Sequence, residues 1–248
     1  MTLCIAWIES VAGQERIVAV SDRRVTGGAC IDLVPKIHLF DKANCLLCWE
    51  GDTNYIPHLI QATRSLLDSD PSLSAEVVTS EQLLDAIMKR MNHFWKSITN
   101  LPQGQQKPNP DDIGSFIFGC YDYDRSVAVL QSIWLDPTAL KWEIRSVNHI
   151  ESGSHLKFRY IGSGGSYVES TVKLAAITPA YLIAAFKDAM TYDHSVGGIP
   201  QVVVLDRRGC VSYGIQKNGK KYIDGFELSP QDVISKTVQF LDYDDLQP

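Results

Sequence analysis

No run in the 248-residue sequence is both apolar enough and long enough to cross a bilayer as a helix. No basic patch precedes the first apolar run, and Glu9 interrupts it, so a cleaved secretory leader is not expected. Basic residues are not in excess: 23 Lys and Arg stand against 29 Asp and Glu, a formal charge of −6. That balance argues against a broad basic face for nucleic acid. No basic amphipathic stretch suggests membrane binding. Histidine is scarce, and His38, His58, His93, His149 and His155 are scattered without ligand spacing. There is no GxSxG elbow and no HExxH helix. The expectation is a cytoplasmic protein with no metal, no cofactor, no nucleic acid and no membrane among its partners.

Six cysteines are present, at 4, 30, 45, 48, 120 and 210, mostly within apolar, strand-like runs. They read as buried thiols in a reducing compartment. Cys45 and Cys48 form a CxxC, but no second pair or His pair completes a zinc site. On a strand, residues three apart point to opposite faces, which also argues against a redox pair.

The composition is 45% hydrophobic and 21% charged, ordinary for a globular chain that can bury a large core. The first fifty residues read as short strands: "LCIAWIE", "RIVAVSD", "CIDLV", "KIHLF" and "CLLCWE". Two helical stretches follow, "TNYIPHLIQATRSLLDS" and "TSEQLLDAIMKRMNHFWKSI", with apolar residues at helical spacing. A polar Pro/Gly loop at about 99–114 separates these from further strands. Two more helices, "SYVESTVKLAA" and "TPAYLIAAFKDAMTY", precede the strand pair "IPQVVVLDRRG" and "CVSYGIQ". A terminal helix and solvated tail are expected from about 229, with Ser229 as N-cap and Pro230 in the first turn. The order is not a simple βα alternation, so a doubly wound parallel sheet is not expected. One domain over 1–248 fits, with two antiparallel sheets covered by helix pairs.

Three short stretches invite a chemical reading. "YIGSGGSYVES" runs strand, glycine turn, helix, but Tyr167 breaks GxGxxG and no Lys-Ser/Thr pair follows. What remains is a close turn presenting Ser163 and Ser166. "YDHS" sets Asp193, His194 and Ser195 side by side, whereas a triad needs groups that face one another. In "VAVSDRRVTGG" a strand ends in Asp22, followed by two arginines and Thr26. Lys36 then opens the next strand, fourteen residues beyond Asp22.

Taken with Thr2, the order Thr, Asp, Lys, Gly, Gly-Ser-Gly resembles the proteasome β-subunit family of N-terminal nucleophile hydrolases. In outline it is similar to the Anbu-type bacterial relatives, over roughly residues 2–66 and 114–215. The resemblance implies a four-layer αββα sandwich, an α+β fold. It puts Thr2 on the catalytic N-terminal threonine once Met1 is removed, Asp22 on the aspartate of "DSR", here "DRR", and Lys36 on the active-site lysine. Gly51 falls on the oxyanion glycine, Ser163 on the serine of the GSG turn, and Asp193 near the late supporting aspartate. Thr26 and Trp49 fall on positions that line the substrate. Two departures stand out: the family's late serine aligns with Val196, with Ser195 one place off, and Glu50 and Asp52 flank Gly51 where small residues are usual. The implied function is a threonine-type peptidase of a proteasome-like assembly, acting on peptides or unfolded protein. The assembly would be a homo-oligomeric ring or helical stack, open to an ATP-dependent unfoldase. The alternatives are a non-catalytic assembly subunit and an amidohydrolase acting on a small amide.

Overall fold

A tight hairpin opens the chain in a computed structural model that describes residues 2–26, 30–97, 113–145, 156–172, 177–229, 231–232 and 238–248. Strand β1 (Cys4–Val11) pairs antiparallel with β2 (Gln14–Ser21), setting Cys4 opposite Ser21. Ala12 and Gly13 both take positive φ, 51° and 79°, the turn whose twist matches the flanking strands. Then come β3 (Ile37–Phe40), β4 (Cys45–Gly51), α1 (Ile56–Ser69) and α2 (Ser80–Ser97). After them follow β5 (Gly114–Asp122), β6 (Val127–Asp136), β7 (Lys141–Arg145), β8 (Lys157–Ile161), α3 (Gly165–Val172) and α4 (Pro179–Tyr192). The chain closes with β9 (Gln201–Asp206), β10 (Gly209–Lys217), β11 (Lys220–Ile223), β12 (Phe226–Glu227) and β13 (Phe240–Asp242).

The strands form two sheets. One runs β12-β11-β10-β9-β2-β1-β8, with β13 joined to β10, and the other runs β3-β4-β5-β6-β7. Alternation along the strands divides the core. Cys4, Ala6, Ile17, Leu46, Cys48, Ile117 and Val203 pack between the sheets. Leu47, Trp49, Phe116, Phe118 and Ile133 point the other way, under Leu59, Ile60, Ile87 and Met91 of α1 and α2. Leu3, Ile5, Trp7 and Val18 meet Val168 of α3 and Leu182 and Phe186 of α4. Cys45 and Cys48 therefore face different cores, and both thiols are free.

The expected four-layer αββα sandwich of two antiparallel sheets is corrected. The described chain is mainly sheet, thirteen strands against four helices, and one strand pair, β10 with β13, is parallel. Among the described residues no helix covers β11 and β12, and the C-terminal chain packs beside β10 instead. Phe240 and Leu241, expected in a terminal helix, lie in β13 because they pair with Gly214 and Ile215. Residues 230 and 233–237 of that expected helix lie outside the described residues, as do most of the loop at 99–114 and the end of the helix expected through 176. Nor is the acidic tail solvated throughout: Leu246 is buried, and Arg16 donates to the Pro248 carbonyl at 2.8 Å. "CIDLV" yields an isolated bridge between Val25 and Ile31 rather than a strand. No described helix is long and apolar enough to cross a membrane.

Candidate functional site

Two hydrophilic residues lie wholly inside the molecule at the end of the inter-sheet core. Asp22 and Lys36 are both 0% exposed. Asp22 follows β2, and Lys36 precedes β3, on the other sheet. The Lys36 ammonium donates to Asp22 Oδ1 at 2.8 Å. It also donates to Thr2 Oγ1 and to the Arg24 carbonyl. Its three protons thus have three acceptors, one of them the hydroxyl of Thr2.

Asp22 is held as tightly. Its Oδ1 also accepts from the Leu3 N–H at 3.0 Å, and its Oδ2 from the N–H groups of Arg24 at 3.0 Å and Gly197 at 3.2 Å. Four donors therefore converge on one carboxylate. Burial raises its pKa above the ordinary carboxylate value, while Lys36 and the N–H groups of Leu3 and Gly197 act to lower it.

The glycine turn after β8 closes on Thr2 from the other side. Gly162 has φ +101°, and a Cβ there would sit 2.1 Å from the Thr2 carbonyl oxygen, so only glycine fits. The same oxygen accepts from the Gly164 N–H at 3.3 Å. Ser163 in this turn lies 3.4 Å from Ser195, oxygen to oxygen. Ser195 in turn donates to Asp193 Oδ1 at 2.5 Å, and its N–H reaches the same oxygen at 2.8 Å. Asp193 caps the C-terminal end of α4. The structure thus links Ser163, Ser195 and Asp193 in one chain, and His194 joins through its carbonyl, which accepts from Arg24.

Gly51 ends β4 with φ +126°, opposite Gly114. A Cβ on it would strike the Ile113 carbonyl oxygen at 2.1 Å. Two residues before it, Trp49 is 2% exposed. Its indole lies in the core beneath α1, and its N–H donates to the Pro35 carbonyl and to His38 Nε2, each at 3.2 Å. The His38 ring accepts that bond as a neutral imidazole. Burial and nearby Arg64 pull its pKa down to about 4. Glu50 accepts from the Ser115 hydroxyl at 2.8 Å, and burial raises its pKa. Thr26 is exposed, next to the Val25–Ile31 bridge.

Three contributors were not singled out in the sequence. Gln201, the first residue of β9, accepts from the N–H groups of Lys36 and Ile37, each at 3.0 Å, and donates to the Ile37 carbonyl at 2.8 Å. It fixes the backbone that carries Lys36. Its only signal is a polar residue at the head of "QVVVLD". Cys4 donates its thiol to the Trp49 carbonyl at 3.4 Å, and burial pushes that thiol up to about 12. Arg24 forms a two-pronged pair with Asp32, at 2.7 and 2.8 Å, which steadies the segment whose carbonyl meets Lys36. Among the described residues no cluster of His, Cys, Asp and Glu could hold a metal ion.

No family model and no curated protein matches the sequence. The fold is similar to a solved structure of an Anbu (Gly-1) mutant from Hyphomicrobium sp. strain MC1, with a TM-score of 0.55 and 13% identity over 94% of this chain and 89% of that one. At that identity the likeness is one of fold.

Proposed function

We propose that the chain is a threonine-type hydrolase of peptide bonds, working within a proteasome-like homo-oligomer. The observation that carries this reading is the Lys36 ammonium bound to both Asp22 and the Thr2 hydroxyl inside the core. Burying such a pair costs several kcal/mol per ion in desolvation, which Coulomb attraction only partly offsets. Packing does not ask for it, whereas an activated hydroxyl does.

With Met1 removed, Thr2 carries a free amine whose ordinary pKa is about 7.7–8.0. The amine takes the hydroxyl proton, and Oγ1 attacks the scissile carbonyl. The proton passes to the leaving amine as the C–N bond breaks. An acyl ester on Thr2 remains, and water hydrolyses it. The Lys36 charge lowers the proton affinity of both hydroxyl and amine. Asp22 holds Lys36, and Ser163, Ser195 and Asp193 orient the amine. The Gly51 N–H meets the oxyanion, a contact of about 3–4 kcal/mol in related chemistry. Thr26 pairs with the substrate backbone, and Trp49 closes the acyl-side pocket from below. An ATP-dependent unfoldase is the partner class that would feed such an assembly.

Intact mass of the purified protein tests the premise: loss of one methionine is expected. Thr2→Ala should then abolish hydrolysis of fluorogenic peptides in a protein that still folds, at a cost of about 1–3 kcal/mol for the Lys36 proton left without its acceptor, and Thr2→Ser should retain part of the hydrolysis. Full turnover by the Ala variant overturns the assignment.

A further inference from the structure

We infer that the cavity beyond Gly162 receives the leaving group of this reaction and selects one that carries a carboxylate. The inference rests on the reading of Thr2 given above. The cavity holds about 200 Å3, and its lining includes Ser115, Ser132, Trp134, Arg145, Gly162 and Glu169.

Its position follows from the two glycine contacts. Gly162 abuts the Thr2 carbonyl, and Ser115 follows Gly114, which faces Gly51. The cavity therefore shares Gly162 with the turn that closes on Thr2, and Ser115 with the strand that pairs with Gly51, although Thr2 and Gly51 do not themselves line it. In the five-stranded sheet, β3 and β4, with Lys36 and Trp49, lie to one side of β5. Strands β6 and β7, with Ser132, Trp134 and Arg145, lie to the other. A substrate lying across this sheet with its acyl residue on the β4 side directs its leaving residue toward β6 and β7, which carry Ser132 and Arg145.

The lining is polar where a core would be apolar. Ser132 is 5% exposed, and its hydroxyl has no partner among the described residues. A buried hydroxyl left open costs free energy unless a ligand fills the gap. Arg145 stacks over the Trp134 ring at 4.4 Å. Among the described residues its guanidinium has only this ring contact, and its planar fork fits a carboxylate. Glu169, also in the lining, accepts from the Tyr160 hydroxyl at 2.8 Å. Cleavage turns the scissile nitrogen into an ammonium, and Glu169 is the carboxylate of the lining available to pair with it. One guanidinium and one carboxylate in a space of one residue match a leaving amino acid that is both an ammonium and a carboxylate.

The carboxylate can come from the side chain of the first leaving residue or from a free C-terminus. Quenched peptides with one acyl side and Glu, Gln or Lys as first leaving residue test the first source. The same acyl group with a single leaving residue, as free acid or as amide, tests the second. The expected result is kcat/KM at least about tenfold higher for the carboxylate-bearing member of at least one series. Arg145→Gln should bring that ratio near one, and Arg145→Glu should turn it toward Lys. Arg145 is exposed, so these variants keep the fold. Equal rates in both series, or a ratio unmoved by both variants, overturn the subsite. If a β-lactone acylates Thr2 in the same preparation, that failure is the subsite's alone. If no peptide is cleaved and Thr2 is not acylated, the reading of Thr2 fails, and the subsite with it.

Discussion

Four donors on two oxygens make Asp22 intolerant of its own amide. Asp22→Asn brings an NH2 group to face N–H groups and an ammonium, so at least one donor loses its acceptor. The expected cost is about 1–3 kcal/mol, a fall of roughly 2–12 °C in melting temperature for a chain of this size. Lys36→Ala is harsher, since it leaves the Asp22 carboxylate buried without its cation. Breaking a buried pair in this way costs about 3–5 kcal/mol. The two effects of the pair, stability and activity, separate in the double variant Asp22→Leu with Lys36→Met. Thermal melting should show most of the stability regained, while peptide hydrolysis stays lost. Wild-type rates in the single variants would mean that the pair has no part in the chemistry.

Trp49 shows how one side chain ties together a strand, a helix and the cleft. Its indole fills the space between β4 and α1, and its N–H bridges to Pro35 and His38. Trp49→Ala should cost about 3–5 kcal/mol through the cavity it leaves, roughly 6–20 °C of melting temperature. On the proposed reading it should also raise the rate on peptides with large acyl residues relative to Ala-ended ones. Equal rates on Ala-ended and Phe-ended peptides, unchanged in Trp49→Ala, would rule out its part in the pocket. His38 adds a pH dependence to the same element. Its pKa falls from 6.5 to about 4 on folding, so between those values the unfolded chain binds more protons. Stability should be full above about pH 6.5 and decline as pH falls toward 4, by up to on the order of 3 kcal/mol. Urea midpoints across that range should be flatter in His38→Gln, whose amide oxygen can still accept from the indole.

At this scale the sequence was legible where a polar residue stood alone in an apolar strand pattern. Asp22 and Lys36 end and open β-runs, and the glycines of "YIGSGG" mark a turn, so their elements could be placed. That the turn presses on the Thr2 carbonyl is a contact across 160 residues of chain, which no local pattern carries. Gln201 was missed because one amide at a strand start has no local signature; its role depends on β3, 164 residues away in sequence from its Ile37 partner. The C-terminal strand was missed for the same reason. "VQFL" has helical spacing, but β13 is decided by a long-range parallel pairing with β10, which overrides local preference. That pairing, and the helix-free end of the large sheet, also defeated the expectation of four complete layers.

For the molecule as a whole, the proposed assembly has consequences separate from those of the chemistry. A head-to-tail interface between identical copies closes into a ring or runs on as a helix, according to the rotation between neighbours. Exposed Tyr192, Val77 and Phe226 do not by themselves argue for an interface, since single apolar residues are common on protein surfaces. The assembly is part of the function proposed above. Light scattering across micromolar concentrations should therefore give a mass several times that of the chain, with a narrow distribution for a ring and a broadening one for a stack. Thr2→Ala should assemble equally well, because it removes one hydroxyl that faces Lys36 and no surface. A monomer at every concentration would count against the assembly. A large particle that retains Met1 and cleaves nothing would favour the non-catalytic subunit, since a Thr2 amine tied up in a peptide bond cannot act as the base.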